Sequence, residues 1–593
     1  MMDNNNYMKG GEFLLQGAEE IFIPEEFNEE QKMIAETCRD FLQTEVFPNL
    51  ETIDKNEPGT MRSLIVKSGE LGLLGISVPE ELNGFGQNFV TSMLASEELG
   101  AGYSYTVAYS AHTGIGTLPL LYYGSEELKK KYIPRMASGE FAAAYCLTEP
   151  NAGSDANSGR SRAVLSEDGK NYILNGQKMW ITNGGFADVL TVFAKVDNDK
   201  ILSAFLVERD FPGVSFNPEE KKMGIKGSST VQIFFNDCIV PVENMIGNRG
   251  EGFRIALNIL HVGRIKLGAN VLGAAKCSIN HAVNYANERK QFGQLIGNFG
   301  AIKYKLAEQV IRVFATESAT YRLSKYIDQT IEKLVAEGKD KIKVFQESFT
   351  EYALEAALLK VLGSETLDYI VDETVQIMGG MGFSAEMPAD RAYRDSRINR
   401  IFEGTNEINR LVMTDMTLKY AKRADSQLFP KGKEVFDAVM KNDIKAATGE
   451  DYFEYRNNLI VNLKKALLLV LERSHNALGK QFSTEQEVMM CISDMIVHMY
   501  AAESILLRVK KLEAIKGVEG NKLYKDILDC YLHEACQHVF KFADDALVTF
   551  AEGEMYSKLR NALVILTEMK PVNVKEARRR IANKLIEDNK YQF

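Results

Sequence analysis

No run of the sequence reaches the roughly 18 uninterrupted apolar residues that span a bilayer. The strongest, Ala466 to Leu471, is held between Lys464-Lys465 and Glu472-Arg473 and reads as the core of a helix. There is no C-x-x-C and no Cys/His cluster of zinc spacing, so no metal is expected. The seven cysteines (Cys38, Cys146, Cys238, Cys277, Cys491, Cys530, Cys536) are odd in number and scattered, as reduced cytosolic thiols are, and most should lie in the core. Also missing are G-x-G-x-x-G, G-x-x-x-x-G-K-S/T, H-E-x-x-H and G-x-S-x-G, which removes the Rossmann and P-loop readings. Clustered positive charge is scarce: the formal net charge is -11, and Arg578-Arg579-Arg580, a dense basic run, reads as a solvated helix face. A general nucleic-acid binder is thereby excluded, because phosphate neutralisation needs clustered Lys and Arg. The start, Met1-Met2-Asp3-Asn4-Asn5-Asn6-Tyr7, has neither the cationic end and apolar stretch of a secretory signal nor the arginine-rich character of a mitochondrial one. A bacterial-type cytoplasmic location is expected, with peripheral membrane association left open.

What is present is an ordinary globular composition, 45% hydrophobic and 25% charged, on 593 residues, a length for several domains. Asn28 followed by Glu29, Glu30 and Gln31 is a capping box, and Ile34, Cys38, Phe41 and Leu42 follow at helical spacing, closed by Pro48. Helical patterning continues to about residue 136. Short β-rich runs then appear at 142–147, 189–196, 201–207 and 231–235 between Gly, Asn and Asp turns, predicting a small antiparallel β domain. Long helices return from Gly252 to about Lys419, broken at Gly379-Gly380 and at Glu403-Gly404-Thr405-Asn406. The last 173 residues hold only 6 of the 45 glycines and 2 of the 13 prolines, so they should form a helical domain without cofactor loops. The expected class is α+β, mostly α, with an N-terminal helical domain (1–136), a middle antiparallel β domain (137–248), a four-helix bundle (249–419) and an extra C-terminal helical domain (420–593).

Two polar, glycine-bearing segments stand out. Tyr145-Cys146-Leu147-Thr148-Glu149-Pro150-Asn151-Ala152-Gly153-Ser154-Asp155 runs from a strand into a turn that offers amides and hydroxyls to a flat polar ring or a phosphate, and equally reads as an Asx/Pro/Gly turn closing a strand. Glu149 and Asp155 are expected to cap that turn. Gly176 to Gly185 contains the single tryptophan, Trp180, beside Ile181 and Thr182; a lone Trp is commonly a core anchor, whereas one between glycine turns is less so. Met378 and Met381 are read as core packing around the glycine break.

With Ala274 to Gln291, Gln376-Ile377-Met378-Gly379-Gly380 and Ile401 to Asn406, these stretches resemble the acyl-CoA dehydrogenase flavoprotein family over roughly residues 25 to 415. Gly75-Ile76-Ser77-Val78-Pro79-Glu80 and Glu288-Arg289-Lys290-Gln291-Phe292-Gly293 belong to the same match. The tail and Lys222-Met223-Gly224-Ile225-Lys226 are similar to the very-long-chain subgroup. The resemblance implies FAD held between the middle domain and the bundle and across a subunit boundary, in a homodimer or tetramer. Tyr145, Leu147, Thr148 and Ser154 would line the flavin, with Trp180, Ile181 and Thr182 flanking its ring. Arg289 and Gln291 would hold the pyrophosphate from a neighbouring subunit, Gln376, Gly379 and Gly380 the adenine half, and Thr405, Asn406 and Glu407 the cofactor beside the base. Ser154, Arg264 and Gly404 would meet the acyl-CoA.

Taking two hydrogens from adjacent carbons of a thioester needs a base, a hydride acceptor and donors for the enolate-like oxygen. Flavin supplies the acceptor, so the chain must supply a carboxylate. Glu403 follows apolar Ile401-Phe402 and precedes Gly404, a setting that raises a carboxyl pKa by desolvation, and its own N–H is placed to donate to the thioester carbonyl. Some family members carry the base just before an arginine on an earlier helix; here that arginine is Arg264, preceded by Gly263, which leaves Glu403 as the matching base. Arg264 would orient the site, and His261 would line the pocket or pack its helix. The expected activity is dehydrogenation of long-chain acyl-CoA to trans-2-enoyl-CoA in β-oxidation, with electrons passed to an electron-transfer flavoprotein. The alternatives are an acyl-CoA oxidase and a flavoprotein scaffold or assembly factor. The tail is expected to bury its apolar face on the bundle in preference to a membrane surface.

Overall fold

A computed structural model of the chain describes residues 8–18 and 21–593. Residues 1–7, on which the reading of the N-terminus rests, lie outside the described residues. The predicted capping box forms at helix α1 (Glu29–Phe41): Asn28 Oδ1 accepts from the Gln31 N–H at 2.8 Å and Gln31 Oε1 from the Asn28 N–H at 3.0 Å. The α-helical part stops at Phe41, seven residues before Pro48; one widened π turn (Leu42–Val46) and a 3₁₀ turn (Phe47–Asn49) cover the interval. Helices α2 (Leu50–Asp54), α3 (Thr60–Glu70), α4 (Phe89–Glu98), α5 (Ser104–Ser110), α6 (Leu118–Tyr123) and α7 (Glu126–Ala137) complete this region.

The middle of the chain is an eight-stranded sheet: β1 (Ala143–Cys146), β2 (Arg162–Leu165), β3 (Asn171–Thr182), β4 (Val189–Val196), β5 (Leu202–Glu208), β6 (Val214–Phe216), β7 (Thr230–Pro241) and β8 (Met245–Ile246). It is antiparallel-rich but not wholly antiparallel, because β1 and β2 share one edge of β4 and both run parallel to it. The twelve-residue β3, absent from the sequence expectation, pairs with β7 through two register shifts. Gly176, Lys178 and Trp180 break the alternation by which a strand is read.

Beyond the sheet run α8 (Gly252–Glu288), α9 (Gly300–Ala336), α10 (Lys341–Glu351), α11 (Ala353–Met378), α12 (Pro388–Ser396) and α13 (Asn406–Ala421). Helix α8 is the axis of this bundle. A Cβ on Gly273 would lie 1.9 Å from the Glu97 carbonyl oxygen of α4, and one on Gly363 of α11 would lie 3.3 Å from the Gly268 Cα. Gly273 thus admits no side chain, and one at Gly363 would push its neighbours on α8 aside. Thr374 Oγ1 donates to the Ser278 carbonyl, so α8 and α11 advance together in the same direction.

The tail forms α14 (Leu428–Met440), α15 (Tyr452–Leu478), α16 (Gln486–Gly520), α17 (Lys522–Leu547), α18 (Gly553–Thr567) and α19 (Val574–Asp588). Leu467, Leu471, Ile496, Ile505 and Leu532 join the same core as the bundle residues Leu323, Leu358 and Val310. Helix α16 is long and apolar enough to cross a membrane by composition, yet 72% of its apolar window is buried inside the protein, which makes it a core helix. The basic run is not uniformly solvated either: Arg578 reaches inward to Glu308 at 2.6 Å and Glu534 at 2.9 Å, whereas Arg579 and Arg580 stay exposed.

Buried charge fastens tail to bundle. Arg322 of α9, fully buried, donates to Glu503 of α16 at 2.8 Å, and Lys464 of α15 donates to the same carboxylate at 2.6 Å. Arg508 joins Glu317 and Glu25 in the same way. Removing one member of such a cluster strands its partners away from water. Glu503→Ala should therefore cost about 3 to 5 kcal/mol, read as a clearly lowered urea midpoint with an unchanged circular dichroism spectrum.

Candidate active site

The loop that leaves β1 is tied to β3 by charge. Lys178, fully buried, donates to Glu149 Oε1 at 2.6 Å and to the Leu147 carbonyl at 3.2 Å. Glu149 also accepts from the Ser161 N–H at 3.1 Å and from the Arg160 N–H. Burial pushes this carboxyl up, but Lys178 and these donors outweigh it and hold it below the ordinary range. Glu149 thus caps the turn as expected. Asp155 does so only through its carbonyl, which accepts from Ser158, while its exposed carboxylate takes no part in the turn.

Two residues further along β3 the strand bulges. The Met179 N–H turns from β7 to the Thr148 carbonyl at 3.0 Å, and Trp180 adopts φ +59° in the left-handed region. Trp180 is consequently 52% exposed, so it is no core anchor; Ile181 beside it is buried and Thr182 half-buried. Tyr145 and Leu147 are buried, Thr148 half-buried and Ser154 exposed. The Tyr145 ring meets Phe193 edge-on at 5.0 Å, and its buried hydroxyl has no hydrogen-bond partner among the described residues.

The second half of the site is the turn between α12 and α13. Glu403 (φ +59°) and Gly404 (φ +82°) both lie in the left-handed region, which is rare for a side chain larger than Asn. Three side chains hold the turn by its carbonyls. Arg264 Nε donates to the Glu403 oxygen at 3.0 Å, Lys360 Nζ to the Gly404 oxygen at 2.7 Å, and Asn409 Nδ2 to the Gly404 and Thr405 oxygens at 2.8 and 3.0 Å. Thr405 Oγ1 caps α13 by accepting from the Ile408 N–H at 3.2 Å. Asn406 is buried, with its amide committed to Lys360, Ser364 and Glu365, and Glu407 is exposed on the first turn of α13.

So held, the Glu403 side chain points at α8. A Cβ on Gly263 would lie 2.7 Å from Glu403 Oε2, so the glycine is what admits the carboxylate. Oε2 is sealed from solvent and has no hydrogen-bond partner among the described residues. Burial pushes the carboxyl up to about 7 against the opposing charges of Arg264 and Lys360. Tyr145 is near enough that burial first, and the Glu403 charge second, push its hydroxyl well above the ordinary range. Tyr145 at the end of β1 and the 403–406 turn therefore lie close together. Arg264 is buried, not a surface arginine, and His261 stands 3.4 Å from it, pushed down to about 3 by burial and then by the Arg264 charge.

Arg289, Gln291, Gln376, Gly379 and Gly380 are exposed and lie elsewhere. Along α11, Gln376 is sixteen residues past Lys360, about 24 Å at the helical rise, and the end of α8 lies about 36 Å past Arg264. Because the two helices run together, these five residues gather at the end of the bundle remote from Glu403. A Cβ on Gly379 or Gly380 would meet nothing within 4 Å, and Phe292 and Phe383 nearby in sequence are 93% and 88% exposed. Met381, expected in the core, is 44% exposed there, while Met378 is buried.

Lys360 and Asn409 escaped the sequence reading. For Lys360 a signal was available: it is the one cation inside the apolar run Ala356 to Leu362. Asn409 sits in a polar helix start and carries no comparable mark.

Comparison with known proteins agrees with this arrangement. Residues 28–140, 144–238 and 250–418 match the N-terminal, middle and C-terminal domains of the acyl-CoA dehydrogenases, and residues 462–567 match a further acyl-CoA dehydrogenase C-terminal domain. The chain is 42% identical to a "Probable acyl-CoA dehydrogenase" of Bacillus subtilis over 588 residues, 98% of each chain. It is 44% identical to the very long-chain specific acyl-CoA dehydrogenase of Rattus norvegicus over 371 residues, 61% of this chain and 53% of that one. A crystal structure of an acyl-CoA dehydrogenase complexed with FAD from Bacillus anthracis superposes with a TM-score of 0.96 at 42% identity, covering 99% of this chain and 100% of that one.

The buried carboxyl sets a pH dependence of stability. Its folded pKa of about 7 lies above the ordinary value of 4.5, so its contribution is fully present below pH 4.5 and is lost as pH rises through 7. Glu403→Gln cannot ionise. It should match wild type at pH 4.5 and exceed it at pH 8 by about 3 kcal/mol, an advantage that cofactor-free protein would reveal in urea denaturation at both pH values.

Proposed function

This chain belongs to the acyl-CoA dehydrogenase family and is an FAD-dependent enzyme of it; we propose that its substrate is a long-chain acyl-CoA and that Glu403 is the base that takes the α-proton. The observation that carries this reading is the Glu403 carboxylate itself, aimed at Gly263 with one oxygen sealed and unpaired. A group with a pKa near 7 is matched to proton abstraction at neutral pH.

The residues fit the cofactor. Trp180 offers an exposed aromatic face at a bulge held by the Thr148 carbonyl, the buried Tyr145 hydroxyl awaits a partner, and Gly379-Gly380 leave room for a close approach. In this reading Tyr145, Leu147, Thr148, Ser154, Trp180, Ile181 and Thr182 hold the flavin end. Arg289, Gln291, Gln376, Gly379 and Gly380 serve the far end in a second copy of the chain, which makes the enzyme at least a homodimer; about 24 to 36 Å of helix separates them from the base of their own chain. Bound FAD supplies the acceptor for the hydride that leaves the β-carbon.

The chain does the rest. Arg264 and Lys360 keep two cations against the turn, so the α-proton is drawn by a carboxylate whose position is fixed before substrate arrives. The Glu403 N–H donates to the thioester carbonyl, where negative charge develops as the proton leaves. Thr405, Asn406 and Glu407 form the start of α13 beside the base, and Gly404 lets main chain and thioester approach. Electrons pass on to an electron-transfer flavoprotein, as the family resemblance implies.

Glu403→Gln should remain yellow, because the side chain is nearly isosteric, while anaerobic bleaching of the flavin by palmitoyl-CoA slows at least 100-fold, roughly the effect of losing a general base. Bleaching at wild-type rate would refute the assignment, and rapid peroxide release by wild type in air would mark an oxidase. Arg289→Ala should emerge from dialysis pale, since a guanidinium on a pyrophosphate is a charge-assisted contact. Full retention of colour would make Arg289 a surface residue.

A further inference from the structure

Lys360 stands in the middle of α11, fully buried, with apolar Ala356, Ala357, Leu358 and Leu359 before it and Val361 and Leu362 after it. A lysine is costly to bury, and its direct partners here are neutral oxygens: the Gly404 carbonyl at 2.7 Å and Asn406 Oδ1 at 2.7 Å. Its ammonium therefore lies behind the 403–406 turn, with no carboxylate among the described residues in direct contact. The turn does not need it as a tie alone, because Asn409 already donates to the Gly404 and Thr405 oxygens and Arg264 to the Glu403 oxygen. What Lys360 adds to these bonds is a charge. We infer that Lys360 is a positioning residue that both orients the Glu403 turn and, through its cation, favours the ionised base, an inference that rests on the reading of Glu403 as that base.

The surrounding charges support an effect of useful size. Glu403 is faced by Arg264 from α8, which His261 of the same helix contacts in turn, Lys360 from α11 and Tyr145 from β1. Lys360 is faced by Glu403 and Glu407 at the turn, Arg264 from α8 and Glu365 on its own helix. Burial pushes Lys360 down to about 7, the range to which burial pushes Glu403 up. The two groups thus exchange charge over the same pH interval and titrate as a pair. With the Lys360 charge gone, a buried carboxyl loses a stabilising cation and holds its proton to higher pH. The acidic limb of the reaction then moves upward.

The test is the pH profile of anaerobic flavin reduction by palmitoyl-CoA, measured on FAD-loaded enzyme from pH 5.5 to 9.5 in single turnover. Lys360→Gln can still donate to the Gly404 carbonyl but carries no charge. Its acidic limb should move up by about one pH unit, giving a rate near pH 6.5 about tenfold below wild type and largely recovered at pH 9. Lys360→Met gives the same reading through a second neutral side chain if the glutamine variant loads FAD poorly, and Lys360→Arg, which keeps the charge, should leave the limb near its wild-type place. A rate lowered equally at every pH, with the limb unmoved, overturns the inference and leaves Lys360 a structural tie. So does an arginine variant whose limb moves as far as that of glutamine. Glu403→Gln separates the two claims: if it bleaches at wild-type rate the base assignment fails, whereas an inactive Glu403→Gln beside an unmoved Lys360→Gln limb refutes only the role of Lys360.

Discussion

A carboxylate oxygen sealed from water without a hydrogen-bond partner among the described residues does not hold its side chain in place, and Glu403 Oε2 is in that position. Its placement depends on the main chain beneath it, which sits in a conformation that a glutamate rarely adopts. The carbonyls of three successive residues are drawn inward by Arg264 from α8, Lys360 from α11 and Asn409 from α13. Each donor comes from a different helix, so the turn is correct only when all three helices are packed in register. The tail enters this dependence through α13: Ser493 Oγ donates to the Arg410 carbonyl, Thr414 Oγ1 to the Met489 carbonyl, and Arg410 bridges Glu365 and Asp494. Helix α16 thus braces the element that begins directly after the Glu403 turn.

The same economy of burial explains why the apolar faces of the tail belong to the protein core. Its apolar faces continue the bundle core, and the charges that accompany them are consumed in pairs, Arg322 and Lys464 on Glu503, Arg508 on Glu317 and Glu25. Charges paired in this way contribute little through attraction alone, yet they fix one relative placement of the two domains, because any other leaves ions desolvated without partners.

Local patterns were legible wherever a short segment sufficed. The capping box at Asn28, the near-continuous β-rich run of β4, the start of α8 at Gly252 and the glycine breaks after Met378 and at Gly404 can each be read from a few adjacent residues. Strand β3 could not, because a bulge places Trp180 outward where the two-residue period would differ. The setting of Glu403 was anticipated from its apolar neighbours, but Ile401 turns out 49% exposed, and it is α8 that closes on the Glu403 carboxylate at Gly263. Lys360 and Asn409 are remote from or unmarked beside the residues that a motif names, and their meaning arises only when separate helices converge.

Helix α8 carries Gly263, Gly268 and Gly273 at intervals of five, and each step of five advances the direction around the helix by about 140°. The three glycines therefore face three different neighbours: the Glu403 carboxylate, α11 and α4. A side chain at Gly263 or Gly273 would run into the Glu403 carboxylate or the Glu97 carbonyl, whereas Gly268 leaves ordinary contact distance, so the helix is keyed on two of these sides. With α8 locked on these two sides, the wall that faces the Glu403 carboxylate serves as a fixed rail.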